Sequence, residues 1–350
     1  MQPSFYYGLF MTLVLVLALL GIVWFIQRRQ GRKETQPGLL KTTSKKRRGG
    51  LLHLARLIGF TLLTILVIGG GVMLFMSYQA IVEDTAPAPS QVDIPTGLPF
   101  RVEEVTFPGG DGLQMSGWYV PSQNGATVIL LHGYGGNRTD MLWHAQVLVE
   151  NGYGVLMYDE RASGESGGDH RSYAWEDPAD VGGALDYLNT LPTVETDKIG
   201  IGGCSIGGQI ALQGAAYFPQ IAATWADGPA TVTSRDIPAP FNWATALAVP
   251  SNWMMDRMLA ERIHRPIPLA LIDLIGTLEP RPIMMIAGGQ PHPNYGPESW
   301  HVQYLARFAG KHTQLWIIPE AYHCDGPVQR PEEYAAKMVG FFDDAFGIKR

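Results

Sequence analysis

Residues 198–208 read Lys198-Ile199-Gly200-Ile201-Gly202-Gly203-Cys204-Ser205-Ile206-Gly207-Gly208. The first half is short, apolar and partly β-branched, and it predicts a buried strand over 198–202. The second half opens a predicted helix over 207–218. Between them lies the pattern G-x-S-x-G, with Ser205 at its centre. Small residues on either side let the chain reverse sharply and lift the Ser205 hydroxyl above a sheet. The following helix points its N-terminus at the same spot, which favours developing negative charge. A glycine-rich turn that only packs a strand on a helix would share this pattern. The strand-turn-helix setting favours a nucleophile.

Working outward, seven more strands are predicted, at 102–107, 114–120, 127–131, 154–158, 221–225, 282–287 and 313–318. Helix-like stretches fall at about 138–151, 177–191, 297–309 and 331–346. Gly109-Gly110-Asp111-Gly112 marks a hairpin between the first two strands. Strands alternating with helices at this spacing imply an α/β fold: a mainly parallel eight-stranded sheet with helices on both faces and an antiparallel edge. Ligands in such sheets sit at the carboxyl ends of the strands. Residues 229–279 fit no strand and predict a small cap. Its Trp243, Trp253, Met254, Met255 and Met258 suit an acyl or aromatic substrate, a bilayer contact, or the cap's own core.

The strand ends carry the remaining candidates. After 127–131 comes His132-Gly133-Tyr134-Gly135-Gly136-Asn137. Acyl transfer needs N–H donors for an oxyanion, each worth about 2.7–4 kcal/mol elsewhere. The backbone N–H groups of Tyr134 and Ile206 are the natural pair, and His132 is read as structural. A general base belongs after the last strand, where Pro319-Glu320-Ala321-Tyr322-His323 places His323 in the chain order Ser, acid, His. His144, His301 and His312 fall in or beside helices, His53 lies near the apolar segments, and His170 and His292 are minor loop candidates. The acid is less direct. The loop after 282–287 contains no Asp, and Glu298 is its carboxylate. Glu298 orients His323 only if that loop folds back; otherwise it is an acid complementing a helix N-terminus. Asp227, after 221–225, is the alternative acid. Asn294 has a suitable place in the loop but is neutral, and would stabilise an imidazolium poorly. Two cysteines make no disulfide framework. Pairing of Cys204 with Cys324 is open outside the cytoplasm, and free buried thiols are the expectation. Without a CxxC or HExxH pair, neither metal nor cofactor is expected.

The front of the chain differs in kind. Residues 5–26 and 57–78 are two apolar runs of 22 residues each without a charge. A bilayer core needs roughly 20 such residues. Residues 28–56 between them hold ten Lys or Arg and one acid, Glu34. So basic a short loop stays cytoplasmic and places everything after Tyr78 outside. The first run lacks the basic n-region and small-residue cleavage site of a signal peptide. Of the chain's 26 basic and 32 acidic residues, 16 and 31 remain in 57–350, a net of −15. Nucleic acid is therefore not an expected partner, because phosphate binding needs a basic face. The expected divisions are a first transmembrane segment (1–27), a basic cytoplasmic loop (28–56), a second transmembrane segment (57–80), a Pro-rich linker (81–100) and a catalytic domain (101–350). The expected location is a cell membrane, multi-pass, with the large domain extracytoplasmic.

From about residue 102 to 346 the chain resembles the α/β-hydrolase superfamily. The resemblance rests on HGYGGN at 132–137, YDERASGESGG at 158–168, GCSIGG at 203–208 and IIPEAYH at 317–323. Ala162 replaces a glycine usual in the second of these. Within the superfamily the chain looks like the membrane-anchored serine hydrolases with a dienelactone-hydrolase or prolyl-oligopeptidase-like core. Relatives of that sort can carry Glu in place of the Asp, which favours Glu298. The resemblance implies an esterase-like or peptidase-like serine hydrolase using Ser205, His323 and Glu298 on a small-molecule or lipid-like acyl substrate. An inactive binding protein of the same fold, or an acyltransferase, is the alternative.

Overall fold

The computed structural model describes residues 43–238, 243–292 and 296–350. The first predicted span, most of the basic loop, and Asn294 lie outside the described residues. The chain divides into two compact units, Met1–Ile81 and Val82–Arg350.

Helix α1 runs over Thr43–Asp84. The helix therefore begins well before the apolar run at 57–78. Lys and Arg are good helix formers, so the basic residues of 43–56 extend the helix beyond the apolar run. Its Leu54–Asp84 portion, 31 residues with a most apolar window of mean hydropathy 2.4, is long and apolar enough to cross a membrane. Among the described residues it is the one such helix. Phe60, Leu62, Leu66 and Phe75 of this portion are exposed.

The stretch 81–100 is not a free linker. Helix α1 continues to Asp84, and only then do the prolines begin. Proline holds the chain extended, and an extended chain can pair. Ala88–Pro89 pairs in parallel with Ser163–Gly164, with Ala88 N–H donating to Ala162 O at 2.7 Å and Ser90 N–H to Gly164 O at 2.8 Å. Thr85 and Val92 are buried. The second compact unit accordingly begins before residue 101.

This unit is built on eight strands: β1 (Glu103–Pro108), β2 (Gln114–Val120), β3 (Thr127–Leu131), β4 (Gly154–Tyr158), β5 (Ile199–Cys204), β6 (Ile221–Asp227), β7 (Ile283–Gly288) and β8 (Thr313–Ile318). Their spatial order is β8-β7-β6-β5-β3-β4-β2-β1. Pairs β1/β2 and β2/β4 are antiparallel, and all others are parallel. The order reverses direction at β3, as in doubly wound sheets, and sets the carboxyl ends of β3, β5, β6 and β7 side by side.

Helices α2 (Leu142–Glu150), α3 (Asp177–Leu188), α4 (Ile206–Tyr217), α5 (Trp243–Ile263), α6 (Glu298–Ala306) and α7 (Pro331–Phe346) follow. The pleat sends alternate residues of each strand to opposite faces. Ile129 and Leu131 of β3 join one core with Val181 of α3 and Ile210 of α4. Val128 and Leu130 join the other with Leu148 of α2 and Phe342 of α7. Burial on both sides explains why β3 reads as an unbroken apolar run rather than an alternating one. The expected cap region contains α5, with Pro250 inside it, and a short helix at Leu271–Leu274.

Candidate active site

Ser205 sits between β5 and α4 with φ 58° and ψ −118°. A residue with a side chain rarely adopts this conformation, and it persists only where its surroundings impose it. Here the peptide is held on both sides. Ser205 N–H donates to Asp227 O at 2.8 Å, and Ser205 O accepts from Gln209 N–H at 3.0 Å and from Ala230 N–H at 3.2 Å. The flanking glycines allow the approach. A Cβ on Gly207 would stand 2.4 Å from Leu131 O, and one on Gly203 would stand 2.4 Å from the Gly207 carbonyl carbon. The G-x-S-x-G spacing is thus a packing requirement, met because α4 starts directly against the ends of β5 and β3.

The loop after β3 borders the same point. A Cβ on Gly133 would lie 3.6 Å from Ser205 Cβ. His132 is buried, with Nδ1 2.8 Å from Gly133 O and Nε2 accepting from Glu160 N–H at 3.0 Å. These partners set the tautomer with the proton on Nδ1, and burial lowers the pKa. Ile206 opens α4, so its N–H is one of the four at a helix start without an intrahelical acceptor. Tyr134 is fixed through its side chain. Its OH donates to Asp84 O at 2.8 Å, its ring stacks on Tyr173 at 5.7 Å, and Arg171 lies over it at 4.3 Å. Burial, then the Asp84 charge, push the Tyr134 hydroxyl up to about 12. Tyr173 OH also donates to Asp84, at 2.5 Å. No local pattern announces Asp84, Arg171 and Tyr173 as supports of this loop, because they meet only in the fold.

His323 follows β8, and its Nδ1 is 2.5 Å from Glu298 Oε2. The other carboxylate oxygen, Oε1, accepts from Gly288 N–H at 3.0 Å. Glu298 stands ten residues beyond the end of β7, and the intervening loop doubles back. Pro291–His292 pairs antiparallel with Gly296–Pro297, which returns Glu298, the first residue of α6, to the strand end. The carboxylate is 12% exposed and the imidazole 41%, so the carboxylate is enclosed and the imidazole keeps an open edge. The hydrogen bond from Glu298 raises the His323 pKa, against burial, which lowers it; the Glu298 and Asp227 charges add to the rise. Gly228 makes room for the pair. It has φ +54°, and a Cβ there would lie 2.8 Å from His323 Nδ1 and 2.9 Å from Glu298 Oε1.

Asp227, the alternative acid, is engaged elsewhere. Its Oδ2 accepts from Tyr334 OH at 2.8 Å, and Tyr334 OH accepts from Trp225 Nε1–H at 2.9 Å. Burial pushes the Asp227 carboxyl up to about 7. The structure therefore brings Glu298, rather than Asp227, into hydrogen-bond contact with His323. Of the other histidines, His144 and His301 are lowered to about 4, chiefly by burial. His170 contacts Asp169 and Glu176, and His312 contacts Glu279.

One expectation is overturned. Cys204 and Cys324 are not free thiols but form a disulfide, with Cα atoms 6.0 Å apart. Sequence reasoning placed them beside the two main candidates but had no access to their separation in space. At Ala162 the glycine-to-alanine departure is accommodated at φ 55°, with Ala162 N–H donating to Gly167 O at 2.8 Å. Among the described residues no group of three or more His, Cys, Asp or Glu is placed to hold a metal ion.

Comparisons with known proteins agree with this fold. Residues 111–233, which contain Ser205 and the 132–137 loop, match the family described as X-Pro dipeptidyl-peptidase (S15 family). The chain is 26% identical over 257 residues to YfhR of Escherichia coli (strain K12), an uncharacterized protein, covering 69% of this chain and 81% of that one. It is 35% identical over 121 residues to the thiohydrolase aneE of Aspergillus aculeatus, covering 33% and 37% of the two chains. Among solved structures it resembles the Pyrococcus furiosus esterase Pf2001, with TM-score 0.57 and 22% identity, covering 73% of this chain and 98% of that one. A sheet of this order, a serine on the turn after β5 and these likenesses together show that the chain has the α/β-hydrolase fold.

Proposed function

We propose that this chain is a membrane-anchored serine hydrolase that cleaves an ester-like bond by way of an acyl-enzyme. The observation that carries the reading is the His323–Glu298 contact, at the same sheet edge as the Ser205 turn. With Nδ1–H given to Glu298, the lone pair of His323 Nε2 is left to take the Ser205 proton as Oγ attacks the carbonyl. The Tyr134 and Ile206 N–H groups then hold the oxyanion. His323 protonates the leaving group, and water, activated by the same imidazole, releases the acyl group. Glu298 keeps the imidazole in this tautomer and stabilises the imidazolium. An esterase and a thiohydrolase among the similar proteins favour an acyl substrate with an oxygen or sulfur leaving group.

The test is labelling of the full chain by a fluorophosphonate probe. Labelling that disappears in Ser205→Ala supports the nucleophile, and its absence in the wild type would favour a binding protein of the same fold. Adding alcohols to the assay separates hydrolysis from acyl transfer. For location, we read Leu54–Asp84 as a membrane span with the hydrolase domain outside the cytoplasm. A disulfide at the site accords with an oxidising compartment. Protease added to intact cells should cut the hydrolase domain, and protection would reverse the orientation.

A further inference from the structure

The disulfide joins the residue before Ser205 to the residue after His323. In the sheet, β5 and β8 are not neighbours, because β6 and β7 lie between them. Hydrogen bonds tie the His323 loop to the β7 side: Gln290 N–H donates to Ala321 O at 3.0 Å, and Gln290 Nε2 to Pro319 O at 2.7 Å. Glu298 is likewise tied to β7 through Gly288. His323 and Glu298 are thus tied by hydrogen bonds to the β7 side, while Ser205 follows β5 and is tied through Asp227 O to β6. Cys204–Cys324 is the covalent link between them, across 120 residues of chain. It also borders the oxyanion loop, since a Cβ on Gly133 would lie 3.8 Å from Cys204 Sγ.

We propose that Cys204 and Cys324 are positioning residues, and that their disulfide holds His323 in register with Ser205 so that acyl transfer depends on the oxidised state. This rests on the serine-hydrolase reading above. Reduction by a dithiol breaks the S–S bond with two electrons and two protons. It leaves two thiols and turns the dithiol into a cyclic disulfide. The His323 loop then keeps its ties to β7 and loses its tie to β5. A shift of the order of 1 Å between reacting groups lowers a rate by about a hundredfold, so the effect falls on the chemical step.

The experiment uses the full chain in detergent micelles, with a p-nitrophenyl ester and a fluorophosphonate probe, before and after treatment with dithiothreitol. Thiols are counted by maleimide mass shift, and folding is followed by circular dichroism. The expected result is two new thiols, an unchanged spectrum, a kcat lower by about 10–100-fold, a KM within threefold, and labelling slowed in parallel. Reoxidation with oxidised glutathione should restore the rate. The Cys204→Ser/Cys324→Ser double variant should show the low kcat and no response to dithiothreitol. Equal labelling and kcat in both redox states would overturn the bridge alone. So would a loss of the folded spectrum on reduction, which assigns the bridge to stability. No labelling of the oxidised chain would overturn the hydrolase reading and this inference together.

Discussion

Replacing Gly228 by alanine adds a single carbon at the point where the His323–Glu298 pair is packed. Two costs follow. Gly228 has φ +54°, and a side chain in the left-handed region costs about 1–2 kcal/mol. The new Cβ would also stand 2.8 Å from His323 Nδ1, 2.9 Å from His323 Cε1 and 2.9 Å from Glu298 Oε1. That is about 0.6 Å inside ordinary van der Waals contact. Gly228 N–H is bonded to Ile286 O at 2.9 Å, so the imidazole and carboxylate give way before the backbone does. Displacement of half an ångström or more should lower kcat by about 10–100-fold, with KM little changed. The melting temperature should fall by about 3–10 °C for a loss near 1–3 kcal/mol in a domain of this size. Steady-state hydrolysis of a p-nitrophenyl ester and a thermal melt measure the two effects separately. Gly112→Ala is the control: Gly112 has φ +83° and nothing within 4 Å of an added Cβ, so it should lose stability and keep its kcat. A folded Gly228→Ala enzyme with kcat within twofold of wild type would refute the placement of the pair at the reacting centre.

Three further outcomes are expected. Glu298→Gln should lower kcat by about 10⁴-fold. In the proposed mechanism neutral His323 is the base, and Glu298 raises its pKa, so the acid limb of kcat/KM should move to lower pH in the variant; an unmoved limb would sever the two residues. Asp227→Asn should leave kcat within a few fold and change the pH dependence of stability instead. With the buried carboxyl raised to about 7, the folded chain holds a proton that the unfolded chain releases. Stability is therefore lost as pH rises from about 4 to 7, and thermal melts across that range should show a flatter slope in the variant. Asp159→Ala should destabilise the domain by about 3–5 kcal/mol in urea titration. It strips the buried Arg138 of a partner at 2.8 Å and the Glu165 N–H of one at 2.9 Å.

How much of this was written locally is clear from the residues. The turn at Ser205 was legible because its requirements are short-range: glycines where β5, β3 and α4 touch, and a helix beginning at once. The central strands β3, β4 and β7 were legible because burial on both faces leaves continuous apolar runs, and chain order pointed to His323. Helix α1 was legible as an apolar run but not in its bounds, since hydropathy marks where lipid would begin and propensity marks where the helix does. The Pro-rich stretch at 81–100 read as a tether because composition records that a segment is extended, not that Ser163–Gly164 offers it an edge.

The sequence by itself determined the α/β architecture and singled out Ser205 and His323 as candidates, each from contacts within a few residues or from strand order. Only the tertiary structure brought Glu298 to His323 and joined the two cysteines. Glu298 reaches His323 because a hairpin in the loop after β7 carries it back ten residues to Gly288. Cys204 meets Cys324 because the loop after β8 folds over the ends of two intervening strands. Both depend on where a loop returns in space, and residue type and spacing along the chain do not encode that distance.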